Sequence, residues 1–140
     1  MTRILVSGLI NIETTLWVDS FPLTYEPVRY PFFGINSTVS GVGYNIARAL
    51  TVLGEEVAFL SLIADDLAGG QVRLSLARDG IVDSLVLSAM LATAESVIIY
   101  DRQGKRQIHT DLKDIQERAY PVDQFDEALA HRAIANSNQG

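Results

Sequence analysis

Continuous apolar stretches alternate along the chain with stretches whose apolar residues repeat at helical spacing. Residues 4–6 form an apolar run that is typical of a buried strand, and residues 57–63 are almost entirely apolar, as expected of a strand covered on both faces. Between them, residues 46–53 carry an amphipathic stripe, and Gly54 is placed to end a helix. This order of strand, helix and strand predicts a parallel sheet with helical crossovers.

Two more helices are predicted. Asp65 and Asp66 can cap the second, because aspartate side chains accept hydrogen bonds from free amides at a helix start. Residues 79–80, Asp-Gly, end it. Residues 122–132 predict the third, with Asp123 as a cap. Three side chains of the second helix are predicted to face the sheet: Val72, Leu76 and Ala77.

Other strand-like regions lie outside this alternation. Residues 14–18 are β-branched and aromatic, and residues 27–39 are also strand-like. The prolines from residue 22 to residue 31 favour edge strands. Residues 97–110 contain two strand-like runs around a glycine-containing turn, which predicts a hairpin. We predict a small exposed β-element inserted after the first core strand.

Composition limits the class of protein. The 140 residues, 48% hydrophobic and 20% charged, are typical of one globular domain. A net charge of −6 disfavours nucleic-acid binding, and the absence of cysteine with only two histidines disfavours a zinc site. The apolar runs are too short for a secretory signal or a membrane span. We expect a cytoplasmic protein that binds neither nucleic acid nor membrane.

Two groups of residues could bind a ligand. Asn11 and Glu13 are expected at the C-terminal end of the first strand, where open α/β sheets bind ligands, and they alternate onto one face. Gly41, Gly43 and Asn45 lie at a helix start, where glycine lets the backbone approach a ligand closely. A structural interpretation stays open for all five residues. Asn11 could be a turn asparagine, Glu13 could be a solvated glutamate, and the other three could form an ordinary helix start.

Together these segments resemble the N-terminal half of the ribokinase-like (PfkB) family of sugar kinases. The resemblance rests on four motifs in order, followed by the paired strands of residues 93–110. The motifs are Gly-Leu-Ile-Asn-Ile-Glu at 8–13, Ser-Gly-Val-Gly-Tyr-Asn at 40–45 with Leu-Gly at 53–54, Ala-Asp-Asp-Leu-Ala-Gly at 64–69 and Asp-Gly-Ile at 79–81.

The resemblance implies a Rossmann-like α/β fold, a parallel sheet core with a small β-sheet lid. Residues 1–140 would be the N-terminal part of a sugar kinase domain, with lid strands at about 14–39 and 94–110. Asn11 and Glu13 would bind hydroxyls of a sugar or nucleoside. Gly41, Gly43 and Asn45 would line the same site. ATP and Mg²⁺ would serve the complete enzyme, and the lid could form a homodimer contact, as it often does in the family.

Departures from the family pattern bear on substrate and catalysis. Four positions differ, so the sugar stays open and ribose is not favoured: Glu13 for aspartate, Ser40 for glycine or alanine, Val42 for lysine and Ala64 for glycine. The second family signature, Gly-Ala-Gly-Asp, carries the catalytic base and is absent. We therefore expect no catalytic residue, no metal site, no kinase turnover and little binding of ATP or Mg²⁺ by this chain alone.

Other interpretations stay open. The chain could be a non-catalytic sugar-binding or oligomerisation module, or the remnant of a disrupted kinase gene. Residues 133–135 resemble the start of a core strand, followed by polar residues, so we expect a truncated domain.

Structural roles are expected for the remaining side chains that could carry chemistry. Asp101 suits a hairpin turn, His109 a strand surface, and His131 a helix C-terminus. Three aromatic residues are expected in lid packing or a dimer contact: Trp17, Phe32 and Phe33.

Overall fold

The structure, a computed structural model, describes residues 3–130 and 133–136. Those residues form two four-stranded sheets. The strands are β1 (Arg3–Ser7), β2 (Asn11–Trp17), β3 (Ile35–Ser40), β4 (Glu56–Ile63), β5 (Val86–Ser88), β6 (Glu95–Tyr100), β7 (Arg106–Asp111) and β8 (Ala133–Asn136). The helices are α1 (Val42–Val52), α2 (Leu67–Arg78) and α3 (Val122–Leu129), with a 3-10 turn at Ile115–Glu117.

The core sheet has the order β5-β4-β1-β8 and is parallel throughout. Successive side chains of β1 point to opposite faces. Val6 belongs to a buried cluster with Tyr44 of α1 and Val72 of α2, whereas Leu5 packs with Phe125 of α3. Both faces of β1 are covered, which explains its continuous apolar run. The predicted parallel sheet with helical crossovers is confirmed.

The lid sheet has the order β3-β2-β6-β7, with β2 and β6 parallel and the other pairs antiparallel. The predicted hairpin is confirmed as β6 and β7, joined by a turn in which Gly104 has a φ of 81°. The Asp101 carboxylate accepts hydrogen bonds of 3.0 Å from the amides of Gln103 and Lys105. Asp101 therefore has the predicted turn role.

Some predicted positions are wrong around the lid sheet. Residues 27–34 are not a strand, and only Ile35–Ser40 pairs with β2. Proline lacks the amide proton that pairing requires, and Phe33 takes a left-handed φ of 57°. Asn11 and Glu13 begin β2 instead of ending the first core strand. They therefore belong to the lid sheet.

Smaller corrections concern the helices. Ala77 is exposed instead of facing the sheet, because it lies on the solvent side of α2 next to the buried Leu76. Asp123 lies in the first turn of α3, whose start at Pro121 has no side-chain cap. The helix-end role of His131 and the end of the chain at residues 137–140 lie outside the described residues.

Candidate functional site

The predicted site residues lie around the junction of β2, β3 and the start of α1. Asn11, the first residue of β2, is the register partner of Ser40, the last residue of β3. Gly41 follows Ser40 directly and precedes α1. The connection from β1 to β2 runs beside this helix start, since the Tyr44 amide donates a hydrogen bond of 3.2 Å to the Leu9 carbonyl.

Gly41 and Gly43 have a packing reason to be glycine. Gly41 has a φ of 109°, and a Cβ there would lie 2.4 Å from the Leu9 carbonyl oxygen. A Cβ on Gly43 would lie 2.6 Å from the carbonyl carbon of Gly8. Because those neighbours are backbone atoms, side chains at either position would push α1 away from the β1–β2 connection. Ligand contact by these glycines stays a prediction.

The side-chain amide of Asn11 is buried, and its nitrogen and oxygen differ in their hydrogen bonding. The residue is 4% exposed, and its Nδ2 donates a hydrogen bond of 2.9 Å to Ser96 Oγ on β6. Ser96 Oγ in turn donates to Thr110 Oγ1 on β7 at 3.2 Å. The Asn11 Oδ1 is buried and has no hydrogen-bond partner among the residues that the structure describes. A buried acceptor without a partner costs about 1–3 kcal/mol, so a hydroxyl donor from a ligand would be stabilised there.

Glu13 and Asn45 differ in their relation to Asn11. Glu13 is half-buried and lies two residues along β2, so it shares the face of Asn11. Asn45 is exposed and lines a pocket with Ile12, which points to the opposite face of β2. Neither Asn11 nor Glu13 lines that pocket. The structure thus brings Asn11 and Glu13 together on one face of β2, whereas Asn45 lines a pocket with a residue of the other face.

A buried tyrosine links the pocket beside Asn45 to the end of α2. The Tyr44 hydroxyl donates a hydrogen bond to the Asp79 carboxylate. The carboxylate also forms two ion pairs, with Arg48 Nε at 3.6 Å from Oδ2 and Arg78 Nε at 3.4 Å from Oδ1. Burial raises the pKa of Tyr44, and the Asp79 carboxylate raises it further. Burial also raises the pKa of Asp79, but hydrogen bonds from Tyr44 and Arg78 outweigh it and leave the pKa below its ordinary value. This network holds α1 against α2.

The Ala-Asp-Asp-Leu-Ala-Gly segment connects α2 to the lid sheet. The Asp66 carboxylate accepts from the Gly69 amide at 2.8 Å, the Thr93 amide at 2.9 Å and Thr93 Oγ1 at 2.7 Å. Burial raises the pKa of Asp66, but the hydrogen bonds from Thr93 and Gly69 outweigh it, so the pKa lies below its ordinary value. The predicted cap is confirmed for Asp66, whereas Asp65 is exposed.

The remaining candidate side chains lie at the surface of the lid sheet. His109 is exposed and hydrogen-bonds to Gln107, as predicted for a strand surface. The Arg102 guanidinium lies 5.2 Å from the centre of the Trp17 ring. Phe32 and Phe33 are 84% and 100% exposed.

Our sequence prediction missed Ser96 and Thr110. Both are short hydroxyl side chains, which are common on exposed strands and carry no motif. The predicted hairpin did contain a signal, because a turn at residues 101–105 pairs residue 96 with residue 110. The contact of Ser96 with Asn11 depends on β2 pairing with β6, across a separation of 85 residues in the chain.

Among residues 3–130 and 133–136, no three histidine, aspartate, glutamate or cysteine side chains come together as a metal site. No helix in the described part of the chain is long and apolar enough to cross a membrane.

The fold and the junction define an α/β domain of the kind found in sugar kinases: a parallel core with a lid sheet that follows its first strand. Residues 1–135 match the model of the pfkB family carbohydrate kinases, and the chain belongs to this family.

Comparison with individual proteins agrees with this family. The bifunctional protein HldE of Sulfurimonas denitrificans is 30% identical over an alignment of 118 residues, and the match covers 76% of this chain and 24% of that protein. A microbiome-derived acarbose kinase, Mak1, has a TM-score of 0.81 at 20% identity, covering 96% of this chain and 45% of that one. A putative ribokinase from Agrobacterium tumefaciens has a TM-score of 0.79 at 23% identity, covering 96% and 44%. The chain thus spans about a quarter of the curated relative and less than half of these structures.

Proposed function

We propose that this chain is the sugar-binding, lid-bearing half of an ATP-dependent carbohydrate kinase. The complete enzyme would transfer the γ-phosphoryl group of ATP to a hydroxyl of a sugar or nucleoside in the cytoplasm. The observation that carries the proposal is the buried, unpartnered Oδ1 of Asn11, on the same face of the lid sheet as Glu13. Membership of the carbohydrate kinase family supports the substrate class.

Each predicted site residue has a role in this proposal. Asn11 and Glu13 accept hydrogen bonds from substrate hydroxyls, and Asn45 contacts the substrate at the edge of β3. Gly41 and Gly43 keep the start of α1 close to the β1–β2 connection, which leaves backbone available to the ligand. Residues 1–140 form the N-terminal part of the kinase domain, and the lid consists of β2, β3, β6 and β7, close to the expected ranges of about 14–39 and 94–110.

The chain alone is proposed to be inactive. The Asp66 and Asp101 carboxylates accept hydrogen bonds from backbone amides, which gives both a structural role. Phosphoryl transfer also needs electrostatic stabilisation of the transferred group. In the described part of the chain, no three acidic or histidine side chains come together as a site for Mg²⁺.

Binding and turnover can be tested separately on the full 140-residue chain. We expect calorimetry to detect binding of at least one of D-fructose, D-ribose and adenosine, and Asn11→Ala to weaken it about tenfold by removing the acceptor. Thr14→Val is the control, since Thr14 lies on the opposite face of β2. A coupled assay should show no sugar-dependent ATP consumption with Mg²⁺. Binding of none of the three would contradict the sugar site, and measurable turnover would contradict inactivity.

The exposed aromatic residues of the lid favour a second candidate function, an oligomerisation module that pairs two copies. Tyr30 and Phe32 stack with ring centres 6.4 Å apart, and Phe33 beside them is fully exposed. They precede β3, an edge strand whose outer backbone groups have no neighbouring strand in the lid sheet. Aromatic side chains are enriched at protein interfaces.

A lid-mediated homodimer gives a specific expectation for light scattering. The full chain should have the molar mass of a dimer. The double variant Phe32→Ser/Phe33→Ser should have the molar mass of a monomer, because its apolar contact is lost. The matched control is Val52→Ser/Leu53→Ser, which changes two exposed apolar residues at the end of α1. A monomer at all concentrations, or equal loss of dimer in both double variants, would contradict a lid interface.

A further inference from the structure

We propose that Ser96 and Thr110 are positioning residues that hold the Asn11 amide in one orientation and so make the site selective for a ligand hydroxyl. This inference rests on the proposed function, because it specifies how the sugar site distinguishes a ligand with a hydroxyl group from an analogue without it. It concerns two residues of the lid hairpin that the family motifs leave out.

The direction of the hydrogen bonds carries the argument. A serine hydroxyl has one proton, and Ser96 donates it to Thr110 Oγ1. Ser96 Oγ is then an acceptor toward Asn11, and it receives the Nδ2 proton at 2.9 Å. Turning the amide over would bring Oδ1 against the lone pairs of Ser96 Oγ and leave the amide protons without this acceptor. These two hydrogen bonds, from Asn11 Nδ2 to Ser96 Oγ and from Ser96 Oγ to Thr110 Oγ1, are called the relay here. The relay therefore fixes Nδ2 toward Ser96 and leaves Oδ1 without a partner.

Because Asn11 and Ser96 are buried, the orientation of the Asn11 amide affects which ligands the site can bind. Ser96 is 6% exposed and Asn11 is 4% exposed, so water has little access to either group. A buried acceptor discriminates strongly between a ligand that donates a hydrogen bond and an analogue that lacks the donor. We expect the site to prefer a hydroxyl over hydrogen at one position of the substrate.

Removing the relay changes the chemistry that Asn11 presents. In Ser96→Ala, Nδ2 loses its acceptor and nothing selects one amide orientation over the other. In Thr110→Val, the Ser96 proton loses its acceptor and can instead be donated to Oδ1 once the amide turns over. Both variants should weaken the preference for a hydroxyl. Ser96→Thr and Thr110→Ser keep the hydroxyl groups and should retain it.

The lid sheet contains a matched control. Thr14 Oγ1 on β2 and Ser37 Oγ on β3 form a hydrogen bond of 2.8 Å. It lies on the face of the lid sheet opposite to Asn11. Thr14→Val therefore removes a comparable hydroxyl contact from β2 without touching the relay.

The first measurement needs no ligand. Hydrogen exchange of the ¹⁵N-labelled Asn11 side-chain amide is followed by NMR in the full chain and its variants. We expect exchange to be about tenfold faster in Ser96→Ala and Thr110→Val than in the parent, since a protecting hydrogen bond is lost. Exchange should be unchanged in Thr14→Val and restored by Ser96→Thr or Thr110→Ser. Equal exchange in the parent, Ser96→Ala and Thr110→Val would overturn the relay.

The second measurement tests selectivity. Affinities are compared for adenosine, D-ribose and D-fructose and for their monodeoxy analogues. For a parent compound that binds, one analogue should bind about tenfold more weakly, and Ser96→Ala should reduce that ratio to about threefold or less. An unchanged ratio in Ser96→Ala would overturn the selectivity role. If none of the parent compounds binds while the exchange result is as expected, the proposed function fails and the relay itself stands.

Discussion

Gly69→Ala is expected to destabilise the protein by about 3 kcal/mol, because an added methyl group has no space at the start of α2. A Cβ at this position would lie 2.0 Å from the carbonyl oxygen of Ala64, a backbone atom at the end of β4. Relief of that contact requires α2 to move away from the core sheet. Such a shift would also disturb the hydrogen bond from the Gly69 amide to Asp66. Urea unfolding of the full chain gives the change in unfolding free energy.

The next residue provides the control. Gly70 lies in the same helix, but a Cβ there meets no atom within 4 Å. Gly70→Ala should therefore stabilise the protein by about 0.5–1 kcal/mol, since alanine loses less backbone entropy in a helix than glycine does. Similar effects of the two substitutions would show that the contact with Ala64 does not destabilise Gly69→Ala, and would contradict this prediction.

Asp66→Ala is expected to cost about 2–3 kcal/mol of unfolding free energy. The substitution removes the cap of α2 and both hydrogen bonds to Thr93, the residue that leads into β6 of the lid sheet. Asp65→Ala is the matched control, because Asp65 is adjacent in sequence and exposed. An equal loss in both variants would mean that general charge, and not the cap, is responsible.

The contribution of Asp66 should also depend on pH in one direction. Hydrogen bonds from Thr93 and Gly69 outweigh the effect of burial and lower the folded-state pKa of Asp66 below 3.8. The carboxylate therefore stabilises the fold fully above its unfolded-state pKa, and this stability is lost as the pH falls through the folded-state pKa. The stability difference between the parent and Asp66→Asn should be constant near neutral pH and shrink below about pH 4. A difference that grows on acidification would contradict this linkage.

Local patterns predicted those features of the fold that neighbouring residues decide. The continuous apolar runs at residues 4–6 and 57–63 predicted covered strands, because a strand buried on both faces needs apolar side chains at every position. Asp66 and Gly80 marked the ends of α2 through capping and a left-handed φ of 73°. The turn at residues 101–105 predicted the hairpin, since its aspartate and glycine satisfy the turn locally.

Other features could not be predicted locally. The strand expected over residues 27–34 is absent, because aromatic residues favour strands while proline cannot complete the pairing. The sequence places Asn11 at the end of the core strand because Leu9 and Ile10 continue its apolar run after Ser7 and Gly8. Both residues are buried in a connection, so hydrophobicity alone does not separate a strand from the segment that follows it.

The sequence by itself determined the class of fold, the family and the group of residues around Asn11 and Gly41, since these depend on spacing along the chain. Only the tertiary structure decided what those residues touch. The parallel pairing of β2 with β6 brings Ser96 to Asn11 and leaves Oδ1 without a partner. The contact of α1 with the β1–β2 connection gives Gly41 and Gly43 their packing role. Contacts between residues far apart in the chain exist only once the sheets have formed, and no local pattern specifies them.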